Sequence, residues 1–324
     1  SIIDWYRRRH QVEVRKEWIV HSNGAIDGVE QAIRAFSEPG DGVIICRPIY
    51  RNFTSVTDKT GRHVVNCQMI NRGDGDYEMD WNAVEEACQQ PENKVFILCS
   101  PQNPVGRVWT EEELKKIAGI CRRGNVVLVS DEIHSDIIRR GVVHLPVIKA
   151  VEDTSNIILV SGANKTFNLM GLHCAYSIIP DENLRKQYQK NYEPPMPTPF
   201  AIAGMTAAYN ECEDWLDQLN DYLDDTMADA VDQIHQKLPL AKAYLPQGSY
   251  VLWIDFSGYG YSTEILQELI YQRANVALQK GSSHDPDEGG QFMRMCVTCS
   301  KGKIREAIER IAAAFEEYEA GNRK

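Results

Sequence analysis

Short runs rich in Val and Ile recur along this chain of 324 residues, and segments of helical period separate them. That alternation restricts the fold more than any other feature. The runs cover residues 43–46, 63–67, 95–99, 126–130, 157–160 and 174–179, with another short one at 17–20. They lack the polar alternation of a half-exposed sheet, so they read as strands buried on both faces in a mainly parallel sheet. Helical patterns at residues 25–36, 81–88 and 111–121 lie between them and would cover that sheet. Ile2, Ile3, Trp5 and Tyr6 followed by basic residues read as an amphipathic helix that begins without a recognisable cap.

A second unit follows. Pro194, Pro195, Pro197 and Pro199 form a connector ahead of a helix at 201–210. Residues 215–238 then read as one long helix with Trp215, Leu216, Leu219, Tyr222, Leu223 and Met227 on its apolar side. Beyond it, strands at 250–256 and 292–297 and helices at 263–273 and 303–318 make a small α+β unit. A chain of this length exceeds one comfortable core. The expectation is an α/β protein with a large domain at residues 1–230 and a smaller one at 231–324.

A net charge of −11 speaks against nucleic-acid binding, which wants a basic face. No apolar stretch reaches the roughly 20 residues that cross a bilayer, and residues 1–10 lack the apolar core of a signal peptide. Nine cysteines, mostly inside apolar runs, form no framework of pairs, which points to a reduced, cytoplasmic protein. Cys296 and Cys299 make a lone CxxC that reads as packing, since zinc sites of this kind need a second pair; no metal is expected.

Four segments at run ends carry chemistry. In an α/β sheet, ligands bind beyond the carboxyl ends of the strands. Lys165 follows the run at 157–160 in Asn164-Lys165-Thr166-Phe167-Asn168; a lysine there is either a solvated charge or a desolvated nucleophile. Asp131 closes the run at 126–130, as a helix cap or as the partner of a cationic ring nitrogen. Asn103 stands before Pro104, as a turn residue or an amide donor. Gly24, Ala25 and Ile26 open the helix at 25–36, where free backbone N–H groups suit a phosphate. Tyr50 is a core residue or a stacking surface. Arg294, inside Phe292-Met293-Arg294-Met295-Cys296-Val297, is seldom buried there unless paired, by an internal acid or by a substrate carboxylate. An amine, an acid and an anion cradle together are what pyridoxal 5'-phosphate (PLP) requires.

The chain resembles the PLP-dependent fold-type I superfamily, class I/II aminotransferase group, and within it the C–S β-lyase (cystathionine β-lyase) branch. The motifs that carry this are Ser100-Pro101-Gln102-Asn103-Pro104-Val105-Gly106-Arg107-Val108-Trp109, Ser130-Asp131-Glu132-Ile133-His134-Ser135-Asp136, and Lys165-Thr166-Phe167-Asn168-Leu169-Met170-Gly171-Leu172, with Phe292-Met293-Arg294. The resemblance implies the aspartate aminotransferase fold, with a mostly parallel seven-stranded sheet and a small domain that closes over substrate. It implies a homodimer with shared active sites and a small amino acid as substrate. Catalytic roles fall on Lys165, Asp131 and Arg294, and cofactor contacts on Gly24, Ala25, Ile26, Tyr50, Asn103, Asp131, His134, Ser161 and Lys165. His134 is the branch marker, because typical aminotransferases carry tyrosine there.

Three departures stand out. Asn164 replaces the usual serine before the lysine, and His173 stands where many aminotransferases have a phosphate-binding arginine. The resemblance also places upstream of Ser1 a Trp-Val-Ala-Asp-Met-type motif and a tyrosine reaching the partner's phosphate. A protein limited to these 324 residues is therefore expected to dimerise but to hold PLP weakly. The implied activity is cleavage of cystathionine or a cysteine-type amino acid to a thiol, pyruvate and ammonia. An aminotransferase and a non-catalytic regulatory protein of the same fold remain open at this point.

Overall fold

The computed structural model describes residues 1–322. Twelve strands run β1 Ile19–Ser22, β2 Gly42–Ile45, β3 His63–Asn66, β4 Ile70–Asn71, β5 Tyr77–Glu78, β6 Asn93–Cys99, β7 Val127–Asp131, β8 Ile157–Ser161, β9 Ala175–Ile178, β10 Val251–Asp255, β11 Gln279–Lys280 and β12 Phe292–Cys296. Seven of them form one sheet in the order β1-β9-β8-β7-β6-β2-β3. Only β9 runs against its neighbours in this sheet, pairing antiparallel with β1 and β8, so the sheet is mainly parallel, as expected.

Strand alternation divides the buried runs between two faces. Phe96, Leu98, Leu128 and Leu159 join a core with the helices Trp81–Gln89 and Glu111–Arg123. Val95, Ile97, Val129 and Val160 face the helix Ala25–Phe36, which buries Val29, Ala32 and Ile33. Full burial of each such side chain contributes about 1.5–3 kcal/mol, and this double coverage fixes the sheet. The helix Glu111–Arg123 starts at a capping box: Glu113 N–H donates to Thr110 Oγ1 at 3.3 Å, and Thr110 N–H donates to Glu113 Oε2 at 2.9 Å.

The smaller sheet has the order β10-β12-β11. It packs with the helices Thr263–Gln267, Lys301–Asn322 and the second half of Glu213–Lys237 around a separate core that begins at Met227. The long helix expected at 215–238 is therefore present, but its apolar side differs. Leu216, Leu223, Met227, Ala230 and Ile234 are buried, whereas Trp215 and Tyr222 are 47% and 44% exposed. The buried residues repeat at steps of three, four or seven, so the stripe follows the helical period. Trp215 instead stacks on Phe167 with ring centroids 6.0 Å apart, and Tyr222 Oη accepts from Lys301 N–H at 3.0 Å.

Other expectations shift by a residue or two. The strand read at 17–20 lies at Ile19–Ser22, after a tight turn at Lys16–Trp18. Pro199 belongs to the helix Pro199–Glu211 instead of the connector, because Thr198 Oγ1 caps Ala201 N–H at 3.2 Å and proline suits the first helical position. The helix at 263–273 is α-helical to Gln267 and then widens over Glu268–Arg273. The helices Asn52–Lys59 and Glu182–Gln189 carry short mixed patterns that the sequence reading did not single out.

Candidate active site

The carboxyl ends of β1, β6, β7 and β8 lie along one edge of the large sheet, and the four chemistry-bearing segments leave from there. Register sets the alignment: Cys99 pairs with Asp131, Asp131 with Val160, and Ser161 and Ser22 with the adjacent residues Tyr176 and Ala175. Gly24 is extended and precedes the helix Ala25–Phe36, whose first N–H groups have no partner within the helix. The Gln102–Arg107 turn closes through Gly106 N–H to the Gln102 carbonyl at 2.6 Å. Gly106 has φ +74°, and a Cβ there would lie 2.3 Å from Pro246 Cβ. Glycine thus lets this turn press against the start of the smaller unit.

Asp131 is 4% exposed, and its Oδ1 accepts from Ile133 N–H at 3.1 Å. Among the described residues no Lys or Arg reaches it at ion-pair distance. Burial pushes its carboxyl up to about 7, against the pull of the Ile133 N–H and the Lys165 charge.

Lys165 sits on the one-turn helix Ala163–Thr166. Its Nζ finds the Met170 thioether at 3.2 Å, a weak acceptor. Burial and then the Arg294 guanidinium lower its affinity for a proton, while Asp131 and Cys296 oppose them. This is the setting of a nucleophilic amine.

Arg294 is 6% exposed on β12, yet among the described residues no acid pairs with it. Its Nη1 donates to Gln279 Oε1 and its buried Nε has no acceptor. The internal ion pair weighed from sequence is thus absent among the described residues. A buried cation left this way is costly unless an anionic ligand completes it.

Asn103, 4% exposed, has a buried Oδ1 without a partner. Tyr50 is half-buried, edge-on to Phe53 with centroids 5.8 Å apart, and Asn52 Nδ2 donates to its Oη at 2.9 Å. Burial and the nearby Asp131 carboxylate raise the Tyr50 hydroxyl, while Arg294 and Arg51 oppose them, so the ring lies near both charged groups. His134 is buried, with its Nδ1 3.2 Å from Ser249 Oγ and its ring 5.1 Å from that of Tyr250. Burial, then Lys165 and Arg294, hold His134 down to about 3, so its ring is neutral at pH 7.

Ser161 is buried but does not join this group through its hydroxyl, which donates to the Glu132 carbonyl at 3.2 Å. His173 is exposed in a left-handed conformation, φ 49°. Arg107, from the second motif, is occupied by Asp76 and Glu113 and lies over the Trp109 ring at 4.5 Å.

Several residues here escaped the sequence reading. His284 bridges the Ile49 carbonyl at 3.1 Å and Gln279 Oε1 at 3.3 Å, and so backs the residue that holds Arg294. Glu132 is buried against His144, with Nε2 to Oε2 at 3.1 Å, and accepts from Val147 N–H at 2.8 Å. Asp136 Oδ2 accepts from Thr166 Oγ1 at 3.0 Å. Glu132 and Asp136 stood in the quoted motif, but their distant partners left no local signal.

An amine, a buried acid and an uncapped helix start on one strand edge, together with a buried guanidinium that has no acidic partner among the described residues, define the candidate site of a cofactor-dependent α/β enzyme. Residues 1–311 match the family described as aminotransferase class I and II, and the chain belongs to that family, whose cofactor is PLP. It is 35% identical over 97% of its length to "Cystathionine beta-lyase PatB" of Bacillus subtilis, covering 82% of that protein. It is 30% identical over 95% of its length to "Protein MalY" of Escherichia coli, covering 79% of it. The crystal structure of cystalysin from Treponema denticola, which contains a pyridoxal 5'-phosphate cofactor, superposes with a TM-score of 0.93 at 30% identity. That match covers 98% of this chain and 81% of cystalysin.

Proposed function

We propose that this protein is a PLP-dependent C–S β-lyase that cleaves cystathionine or a cysteine-type amino acid to a thiol, pyruvate and ammonia. The observation that carries the reading is that, among the described residues, neither Lys165 nor Arg294 has an acidic partner at ion-pair distance, while the buried Asp131 carboxyl and the Arg294 guanidinium both act on the Lys165 amine. The residues fit PLP: the raised Asp131 carboxyl would accept from its ring nitrogen, the free helix start at Gly24–Ile26 would donate to its phosphate, and the buried Asn103 would donate through its amide nitrogen to the phenolic oxygen. Lys165 Nζ would hold its aldehyde, Asp131 its ring nitrogen, and the N–H groups of Gly24, Ala25 and Ile26 its phosphate. Asn103, Tyr50, His134 and Ser161 would line its surroundings. When bound, PLP supplies an electron-withdrawing ring that stabilises negative charge at the substrate α-carbon.

The chain's own part is positioning and proton transfer. Arg294 forks two hydrogen bonds to the substrate carboxylate and so fixes the α-carbon. The Lys165 amine, its proton affinity lowered by burial and Arg294, takes the α-proton at Nζ. Asp131 would accept from a protonated ring nitrogen and so keep it protonated. The β-sulfur leaves as thiolate, and the 2-aminoacrylate that is released hydrolyses to pyruvate and ammonia.

Further parts of the reading are a boundary near residue 230, where the second core begins, with the smaller domain closing over substrate. A homodimer is supported by the exposed apolar side chains of Met170, Met196, Phe200 and Ile202, which are 56%, 92%, 80% and 51% exposed. Nine free cysteines suit a cytoplasmic location, and among the described residues no helix is long and apolar enough to cross a membrane.

The test is product analysis with cystathionine, with and without a keto-acid acceptor. Pyruvate without acceptor is the expected result. Strict dependence on the acceptor would assign an aminotransferase instead, and absence of both reactions a non-catalytic protein.

A further inference from the structure

The lone CxxC, read from sequence as packing, is not packing. Cys46, Cys67, Cys88, Cys99, Cys121 and Cys174 are buried, whereas Cys296 and Cys299 are both exposed. Their place matters. On β12, Met293 and Met295 turn into the core of the smaller unit at 1% and 2% exposure. Strand alternation therefore puts Phe292, Arg294 and Cys296 on the opposite face. Phe292 stacks there on Trp253, centroids 5.0 Å apart and planes 10° apart. Cys296 thus lies beside Arg294, roughly 7 Å along the strand, and opens to solvent where Arg294 is closed in.

Strand pairing places the thiol near the site. Cys296 pairs with Val251 on β10, and the next residue, Val297, donates its N–H to the Tyr250 carbonyl at 2.8 Å. Tyr250 in turn packs edge-on against His134. After Cys296 the chain leaves the sheet and bends at Cys299, just before the helix Lys301–Asn322. The second thiol is three residues away and equally open.

We propose that Cys296 and Cys299 form a thiol modification site at the substrate side of the pocket, where a small-molecule disulfide reacts at Cys296 and Cys299 resolves the adduct. The Cys296 thiol gives up its proton and attacks one sulfur of R–S–S–R; the S–S bond breaks and R–SH leaves. The Cys299 thiol then attacks the Cys296 sulfur, the second R–SH leaves, and an internal disulfide forms. The two protein thiols lose two electrons and the small disulfide gains them. An unresolved adduct occupies the space beside Arg294 and obstructs the substrate carboxylate. The chemistry at the thiols is independent of the reaction catalysed; the obstruction rests on the proposed role of Arg294.

The experiment uses the PLP-loaded enzyme treated with bis(2-hydroxyethyl) disulfide, followed by peptide mapping. Wild type should yield a peptide linking Cys296 to Cys299, cleared by dithiothreitol. Cys299→Ser should retain the hydroxyethyl adduct on Cys296, and Cys296→Ser should yield neither species. Amino-acid binding, read from the cofactor absorption and so independent of lyase turnover, should weaken about tenfold in adduct-bearing Cys299→Ser, roughly 1.4 kcal/mol, and recover on reduction. Labelling confined to other cysteines defeats the site. An adduct on Cys296 with unchanged binding defeats the obstruction and points back to the reading of Arg294.

Discussion

Asp136 and Thr166 meet in the buried interior beside Lys165, with Thr166 Oγ1 donating to Asp136 Oδ2 at 3.0 Å. The other oxygen of Asp136 accepts from Trp5 Nε1 at 3.3 Å and lies 3.0 Å from His10 Nε2. One buried carboxylate thus ties the first helix of the chain to the residue next to Lys165. Removing it with Asp136→Ala leaves buried donors unsatisfied, about 1–3 kcal/mol for each. A fall in thermal stability is expected, with PLP affinity weakened because the Lys165 turn loses its anchor. Thermal unfolding and cofactor titration check this; unchanged PLP affinity would limit Asp136 to stability.

Lys165 should be the residue that borohydride reduction of the loaded enzyme labels, as peptide mapping would show. Lys165→Ala should lower turnover by roughly 10²–10⁴, the usual contribution of a positioned proton-transfer group. A label on another lysine would displace the whole site.

Asp131→Asn should retain part of the cofactor and lose activity chiefly in kcat, since an amide does not hold the ring nitrogen protonated. The cofactor-free protein offers a second readout. Its folded carboxyl is raised to about 7, so between the unfolded value and pH 7 the native state binds more protons than the unfolded one. The stability contribution of Asp131 therefore falls as pH rises through that window. Asp131→Asn should match wild type in melting temperature near pH 4 and exceed it near pH 8. Equal shifts at both pH values would show that the carboxyl is not held protonated by burial.

Arg294→Lys should raise KM for the amino acid by roughly ten- to a hundredfold, the loss of one charge-assisted hydrogen bond, with a smaller change in kcat. Steady-state kinetics decides; an unchanged KM would make Arg294 a structural partner of Gln279.

Much of the sheet and its chemistry was open to a reader of the sequence alone. The Val- and Ile-rich runs marked β2, β3 and β6 to β9 within a few residues, because burial on both faces leaves a local compositional trace. The placement of Lys165, Asp131, Asn103 and Gly24 at or just past strand ends was legible for the same reason, since each follows such a run. What the sequence left undecided concerns partners far apart in the chain. Whether Arg294 is paired depended on which side chains face it, and the fold supplied Gln279 and His284 but no acid among the described residues. Asp136 found His10 at 126 positions' separation, and Trp215 turned from the core to Phe167. The exposure of Cys296 followed from the pairing that sends Met293 and Met295 inward. Local sequence records the period of an element and the residues at its ends; only the packed structure decides which neighbours neutralise, hold or expose each of them.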